Sequence, residues 1–290
     1  MAEPDLNDLR TTILRACPEL AASRFTLLNA GWDSLAVDVD DRLIFKFPRH
    51  AEAEGRLRLE ASLLAEIAPR VAMPVPRLTL YFGPPLFSYH AKLRGAHLLT
   101  DQYAALPETA RERLADDLAR FYAELHALDA ARMAAAGAQA IRPWIAPEDM
   151  LRRVWPALRT NSLRHRSETA VITWAALPAD PHGTTYGFFD GHGWNMAFDH
   201  DAQRLNGVYD FADSGFGPLQ QDFIYSNFIS RDLTARIIRR YEALTGRAVD
   251  AERVELLSAI LRLSELAEYA DDPAHAPAMV RHVADWFDGA

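Results

Sequence analysis

The sequence has almost no cysteine and no long apolar run. Cys17 is the one cysteine among 290 residues, so no disulfide can form within the chain. A lone thiol fits a reducing compartment, and we expect a cytoplasmic protein. No run approaches the roughly 20 apolar residues that a membrane-spanning helix needs, and the polar, acidic first ten residues do not resemble a signal peptide. We therefore predict no membrane partner.

Positive charge is also scarce. The chain has 31 Lys and Arg against 40 Asp and Glu, a net charge of −9, and its basic residues form no stripe. This balance argues against nucleic acid as a partner and permits a cationic small-molecule ligand. The length suffices for one large domain or two modest ones. No internal repeat is present, and we expect a monomer or a weak dimer.

Hydrophobic periodicity divides the chain into two parts. Residues 24–94 show short β-rich runs around one helical pattern at 52–67, whereas apolar residues recur mainly at helical spacing from residue 107 onward. In this second part the pattern predicts helices at 108–128, 148–162, 168–177, 221–228, 233–244, 251–269 and 276–287. We predict an α+β, bilobal fold, with an N-terminal lobe over 1–94, a helical C-terminal lobe over 95–290, and a ligand-binding cleft between them.

The most informative segment is 190–195, which reads Asp-Gly-His-Gly-Trp-Asn. A further aspartate, Asp210, follows Asn195 after fifteen residues. Protein-kinase-like enzymes place a base and two magnesium ligands with this spacing. Phosphoryl transfer depends mainly on positioning and electrostatics, so a few fixed polar groups nearly suffice. The spacing predicts Asp190 as the catalytic base and Asn195 and Asp210 as metal ligands.

The sequence before residue 94 supplies candidates for binding phosphate. Lys46 lies in an apolar, strand-like run, where an unpaired ammonium would be costly, so we expect an anionic partner. Glu60, near the apolar stripe of the helix predicted over 52–67, is the best candidate for pairing with this lysine. Gly31 lies in a turn between two strand-like runs, and we predict that this turn covers the phosphates.

From Leu28 to Asp222 the chain resembles the aminoglycoside phosphotransferase family, which has a protein-kinase-like fold. The catalytic loop of that family reads His-Gly-Asp-x-His-x-x-Asn, and residues 188–195 here read Phe-Phe-Asp-Gly-His-Gly-Trp-Asn. The Asp-Phe-Ala turn at 210–212 is similar to the metal-binding turn of the family. Phe-Pro-Arg at 47–49 is similar to the aminoglycoside and macrolide kinase branches.

The resemblance implies a kinase, a transferase that moves the γ-phosphate of ATP or GTP to a hydroxyl of an aminoglycoside-like acceptor with the help of Mg²⁺. It implies that the backbone at Tyr89, His90 and Ala91 receives the nucleotide base, and it implies a link to antibiotic resistance. Two alternatives stay open. The acceptor could be a macrolide, a sugar, an amino alcohol or a glycated amine, or the protein could bind nucleotide with little turnover.

Three positions depart from the family pattern. Phe188 and Phe189 replace the first His and Gly of the catalytic loop, and Ala212 replaces the Gly of the metal-binding turn. None of these changes removes a base or a metal ligand, so we expect Phe188 to be a packing replacement in an active enzyme. His192 stays open between a structural histidine that bonds to the backbone and a catalytic one.

Overall fold

The computed structural model describes residues 5–28 and 34–289. Gly31 lies outside this part of the chain, so its role over the phosphates stays a prediction.

The N-terminal part is built on an antiparallel sheet with the strand order β1-β2-β3-β5-β4. The strands are β1 (Phe25–Leu28), β2 (Ser34–Val39), β3 (Leu43–Pro48), β4 (Thr79–Tyr81) and β5 (Phe87–Ala91). Helix α1 (Leu6–Ala16) is capped by Asp5, whose side chain accepts hydrogen bonds from two backbone N–H groups of the first turn. This helix buries Leu9 and Ile13 in one cluster with the alternate β2 residues Val37 and Val39.

Helix α2 (Ala51–Ile67) follows β3 and confirms the helix predicted over 52–67. Its predicted apolar stripe, Leu57, Leu64 and Ile67, is buried. Glu60 is buried on the same helix with 3% of its surface exposed. A buried carboxylate requires hydrogen-bonded or charged partners, so such groups are expected around Glu60.

The C-terminal part is mainly helical, as predicted. Its helices are α3 (Thr100–Ala104), α4 (Glu108–His126), α5 (Ala130–Ala135), α6 (Pro147–Val154), α7 (Asn161–Ala175), α8 (Arg231–Thr245), α9 (Ala251–Tyr269) and α10 (Ala276–Asp288). The predicted helix at 221–228 lies in a 3₁₀ stretch, Leu219–Phe228. No described helix is both long and apolar enough to cross a membrane.

The helix predicted over 148–162 is wrong. Helix α6 ends at Val154, and α7 begins seven positions later at Asn161. Pro156 restricts the preceding residue and lacks an N–H donor, so it disfavours a continuous helix here. The side chain of Thr160 then caps the new helix by accepting a hydrogen bond from the Leu163 N–H.

Two small antiparallel pairs carry the segments of interest. Strand β6 (Thr184–Gly187) pairs with β9 (Gly215–Pro218), and β7 (Met196–Asp199) pairs with β8 (Arg204–Val208). The segment 188–195 joins β6 to β7, and the segment 209–214 joins β8 to β9. Both predicted catalytic segments therefore connect one strand pair to the other and lie side by side.

Candidate active site

Lys46, Glu60 and Asp210 form one charged group. The Lys46 ammonium lies 3.6 Å from Glu60 Oε2 and 4.0 Å from Asp210 Oδ1. Burial lowers the pKa of Lys46, but the charges of Glu60 and Asp210 outweigh it and hold the pKa above its ordinary value. The lysine is therefore charged at neutral pH and lies between helix α2 and the turn after β8, where anionic phosphate could bind.

Glu60 has a second contact that the sequence does not reveal. Its Oε1 atom accepts a hydrogen bond of 3.1 Å from the backbone N–H of Phe211. One buried carboxylate thus binds the lysine of β3 with one oxygen and the backbone next to Asp210 with the other. Helix α2 thereby fixes the turn at 210–212 relative to the lysine.

Asp190 lies in a short loop that holds its carboxylate from two sides. Asn195 Nδ2 donates to Asp190 Oδ2 at 2.6 Å and to the Asp190 carbonyl at 3.0 Å. His192 Nε2 lies 3.1 Å from Asp190 Oδ1. Burial lowers the pKa of His192, but the hydrogen bond to Asp190 and the charge of Asp190 outweigh it, and the net shift is upward. The imidazole contacts the carboxylate, so this histidine does not serve only to bond the backbone.

Asn195 and Asp210 meet through the backbone. The N–H of Tyr209 donates to the Asn195 carbonyl at 3.0 Å, which places the residue before Asp210 beside Asn195. Both hydrogen bonds of the Asn195 amide use its nitrogen. Its amide oxygen and the half-exposed Asp210 carboxylate are both hard oxygen donors, the ligand type that Mg²⁺ prefers. These two side chains fit a magnesium site.

A buried carboxylate supports the catalytic loop from beneath. Asp222 is fully buried and accepts hydrogen bonds from the N–H groups of Phe188 at 3.0 Å and Phe189 at 2.5 Å. His126 Nε2 lies 3.0 Å from Asp222 Oδ2, and its Nδ1 lies 2.9 Å from the Tyr241 hydroxyl. Asp222 thus lies behind the loop and holds its backbone. His126 and Tyr241 were not predicted; their sole sequence signal is a histidine near the apolar stripe of helix α4.

Phe188 packs the loop 188–195 against the turn at 210–212. Its side chain is 1% exposed, and its ring centroid lies 4.7 Å from that of Phe211 and 5.8 Å from that of Phe121. The aromatic contact therefore joins the residue two before Asp190 to the residue after Asp210. This position agrees with a packing replacement for the family histidine.

Phe189 adopts a left-handed backbone conformation with φ of 52° where the family pattern has glycine. A bulky side chain in this region costs roughly 1–3 kcal/mol and needs compensation. Two glycines provide the space for its ring: a Cβ on Gly187 would lie 2.8 Å from Phe189 Cε2, and one on Gly217 would lie 2.6 Å from Phe189 Cζ. Burial of the ring and the hydrogen bond to Asp222 offset the strain.

Ala212 is tolerated in the turn because the residue with the left-handed backbone conformation is Asp210. Asp210 has φ of 70°, and Ala212 does not have a positive φ. Aspartate visits this region more readily than most residues, because its short side chain can bond locally. The turn at 210–212 therefore does not need a glycine at its third position.

The predicted base-binding residues lie at the end of β5. Strand β4 pairs only with residues 87–89, so His90 and Ala91 extend beyond its end, while β3 still pairs with them on the other side. Burial lowers the pKa of His90 to about 4, and its Nδ1 lies 2.9 Å from the Ala91 carbonyl. Tyr89 pairs with Phe45 and Thr79 in the sheet. Base binding at this edge stays a prediction.

Two cavities flank Asp190 on the helical side. The larger, of about 410 Å³, is bounded by the loop 141–145, Phe189 and helix α9. The smaller, of about 340 Å³, is bounded by residues 98–100, His192 and α10. Tyr225, Leu261 and Glu265 line both cavities. The candidate base therefore faces a divided cleft large enough for a small organic molecule.

Comparisons with known proteins agree with this geometry. No curated protein matches the sequence. Among solved structures, the chain is similar to the GDP complex of wild-type aminoglycoside 2'-phosphotransferase-IIIa, with 20% identity, a TM-score of 0.82 and 98% of each chain covered. It is also similar to a macrolide 2'-phosphotransferase from Brachybacterium faecium, with 20% identity, a TM-score of 0.69, and 93% of this chain and 98% of that one covered.

A ternary complex of APH(2")-IIa with streptomycin and ATP is similar as well, with 18% identity, a TM-score of 0.66 and 99% of each chain covered. At these identities the likenesses show the fold, and they confirm the predicted bilobal, kinase-like architecture. The sequence model of the family described as "Phosphotransferase enzyme family" matches residues 24–257, which is most of the chain. The predicted enzyme class is thereby confirmed, and the chain belongs to the phosphotransferase enzyme family.

Proposed function

We propose that this phosphotransferase is a small-molecule kinase that moves the γ-phosphate of ATP or GTP to a hydroxyl of an aminoglycoside-like acceptor. The observation that carries the proposal is the proximity of two groups of side chains. The Lys46–Glu60–Asp210 group, suited to a magnesium–phosphate complex, lies next to the loop that presents Asp190 to an open cleft. The similar structures that contain GDP or ATP support the nucleotide half of the proposal.

The residues divide the work of phosphoryl transfer among them. Lys46 binds phosphate oxygens, and Glu60 keeps its ammonium in place. Asp210 and the amide oxygen of Asn195 would hold magnesium, which neutralises charge on the phosphates when it is bound. Because the pKa of Lys46 is raised, the lysine keeps its charge without phosphate as well.

Asp190 handles the proton. As the acceptor oxygen forms a bond to the γ-phosphorus, the bond from that phosphorus to the oxygen of the leaving diphosphate breaks. The hydroxyl proton passes to a carboxylate oxygen of Asp190, and the nucleoside diphosphate leaves with the bonding electron pair. The carboxylate is already oriented by its hydrogen bond from Asn195 and its contact with His192, so little reorganisation is needed.

One observation favours a second acceptor class. The acidic side chains around the larger cavity are paired: Glu265 lies 2.9 Å from Arg262, and Glu268 lies 3.3 Å from Arg142. Its remaining wall is largely apolar, including Ile141, Pro143, Trp144, Ile145, Phe189 and Leu261. A polycationic acceptor would be attracted less strongly by these paired carboxylates than by unpaired ones. A macrolide with an apolar face is therefore the second candidate.

The test is a phosphate-transfer screen with Mg²⁺–ATP and Mg²⁺–GTP. The panel contains kanamycin, gentamicin, streptomycin, a macrolide, simple sugars and amino alcohols, and products are detected by mass spectrometry. The D190N variant controls for contaminating kinases. Transfer by the wild type to an aminoglycoside supports the first candidate, and transfer to the macrolide supports the second. Nucleotide binding without transfer to any member would contradict the proposed function.

A further inference from the structure

The candidate base is held by two side chains of its own loop, which use different oxygens. Asn195 donates to Oδ2 and is already assigned to metal, whereas His192 contacts Oδ1 at 3.1 Å and has no assigned role. We propose that His192 is a positioning residue for phosphoryl transfer, which fixes the carboxylate of Asp190 towards the acceptor hydroxyl. This inference rests on the proposed function.

The loop backbone leaves the imidazole little freedom. The His192 N–H donates to the Asp190 carbonyl at 2.9 Å, and the Asn195 N–H donates to the His192 carbonyl at 3.1 Å. These bonds close a tight turn in which residues 190, 192 and 195 fix one another. A side chain in such a turn is ordered before substrate binds, which suits a positioning role.

The surroundings of His192 point to the same role. Its Nδ1 atom is buried and has no hydrogen-bond partner among the described residues, so the contact of 3.1 Å between Nε2 and Asp190 Oδ1 is the polar contact that directs the ring. The ring also borders the smaller cavity, together with Trp194, Tyr225 and His282. Asp190 lines the same cavity, so the imidazole lies beside the carboxylate at the cavity wall.

The geometry also separates positioning from proton transfer. A carboxylate oxygen can accept two hydrogen bonds, so Oδ1 and Oδ2 each keep a lone pair when His192 and Asn195 are bound. Without the histidine, the Asp190 side chain is held only through Oδ2 and can rotate about that contact. We therefore expect loss of orientation, and hence of kcat, without loss of the metal ligands or of Lys46.

The experiment compares H192L with H192Q. The glutamine amide nitrogen reaches about as far as Nε2 of histidine and can donate to Asp190, whereas leucine has similar bulk and no donor. H192L should lower kcat roughly 10- to 100-fold, as loss of a supporting hydrogen bond at a reactive site does. Its Kd for the Mg²⁺–nucleotide complex and its melting temperature should be nearly unchanged, and H192Q should recover most of the activity.

His182 offers a matched control. Its Nε2 lies 2.6 Å from the Ala248 carbonyl, and it lines neither cavity beside Asp190, so H182L should keep full activity. Turnover is measured with the acceptor identified in the screen and as hydrolysis of Mg²⁺–ATP and Mg²⁺–GTP by water. Ring ¹⁵N shifts of His192 in wild type and D190N report the contact independently of turnover.

The outcomes distinguish the two proposals. A wild type that transfers phosphate to no acceptor and hydrolyses no nucleotide contradicts the proposed function. An active wild type with an equally active H192L variant overturns the role of His192 alone. Equal losses in H192L and H192Q, accompanied by a lower melting temperature, would show that the histidine is merely structural and would also overturn it. Unchanged ring shifts in D190N would refute the contact itself.

Discussion

Phe188 offers the sharpest test of how this chain supports its catalytic loop. The family pattern has histidine here, and the structure has a buried ring between Phe211 and Phe121. The F188A change removes this ring and leaves a cavity between Phe211 and Phe121. A buried Phe-to-Ala change costs about 3–5 kcal/mol, because the transfer free energy and the cavity term add.

The size of the thermal shift follows from the length of the chain. At about 2.1 cal/mol/K of unfolding entropy per residue, 290 residues give about 0.6 kcal/mol/K. A loss of about 3–5 kcal/mol should therefore lower Tm by about 5–8 °C in a single unfolding transition. Activity should fall as well, because the ring joins the loop of Asp190 to the turn of Asp210.

The assay combines a melting curve, urea denaturation and a phosphate-transfer measurement on one preparation. F188L is the matched control: it keeps an apolar side chain, so most of the stability should remain, while the ring contact with Phe211 is lost. A stability loss below about 1 kcal/mol in F188A would refute the reasoning, since a truncated and well-packed core side chain cannot cost so little. Full stability loss with unchanged kcat would show that the packing does not govern the loop.

Four further changes test the remaining assignments. D190N should keep Mg²⁺–nucleotide bound in calorimetry and lower kcat roughly 10²- to 10⁴-fold; near-normal kcat would remove Asp190 from its role. D210A should abolish Mg²⁺-dependent nucleotide binding in the same calorimetric experiment, and unchanged binding would contradict the metal assignment. D222A should cost about 3–5 kcal/mol in urea denaturation, because two loop N–H groups and the His126 ring lose their buried partner. The pKa of His90 is about 4, so between pH 6.5 and 4 this histidine takes up a proton in the unfolded chain but not in the folded one. The stability that His90 contributes should therefore be full above pH 6.5, and the free energy of unfolding should fall by about 2 kcal/mol from pH 7 to pH 5. A pH dependence of stability in H90Q identical to that of the wild type would contradict this.

The prediction of helix boundaries shows where local patterns suffice. Helix α2 was predicted closely, because its apolar spacing matches one secondary structure throughout. The prediction of one helix over 148–162 was wrong, because the apolar spacing of two helices separated by a turn with one proline also fits one longer helix. The two separate helices are fixed by tertiary packing, in which α6 and α7 each bury an apolar face against α9.

The sequence by itself predicted the residues proposed for the chemistry. Asp190 and Asn195 belong to one short loop, so their spacing alone brings them together, and the short strand pair before Asp210 returns that residue to the same place. The family assignment depends on these local spacings. The pairing of Lys46 with Glu60 was also predictable, because a charge in an apolar strand needs a partner.

The tertiary structure decided how those residues are held. Glu60 reaches the N–H of Phe211 across 151 positions of sequence, and Asp222 supports Phe188 and Phe189 from 34 and 33 positions away. No local pattern encodes such contacts, since they depend on which elements pack together. The left-handed conformation of Phe189 is the clearest case: sequence rules disfavour it, and it exists because buried hydrogen bonds and the space beside two glycines outweigh the local strain.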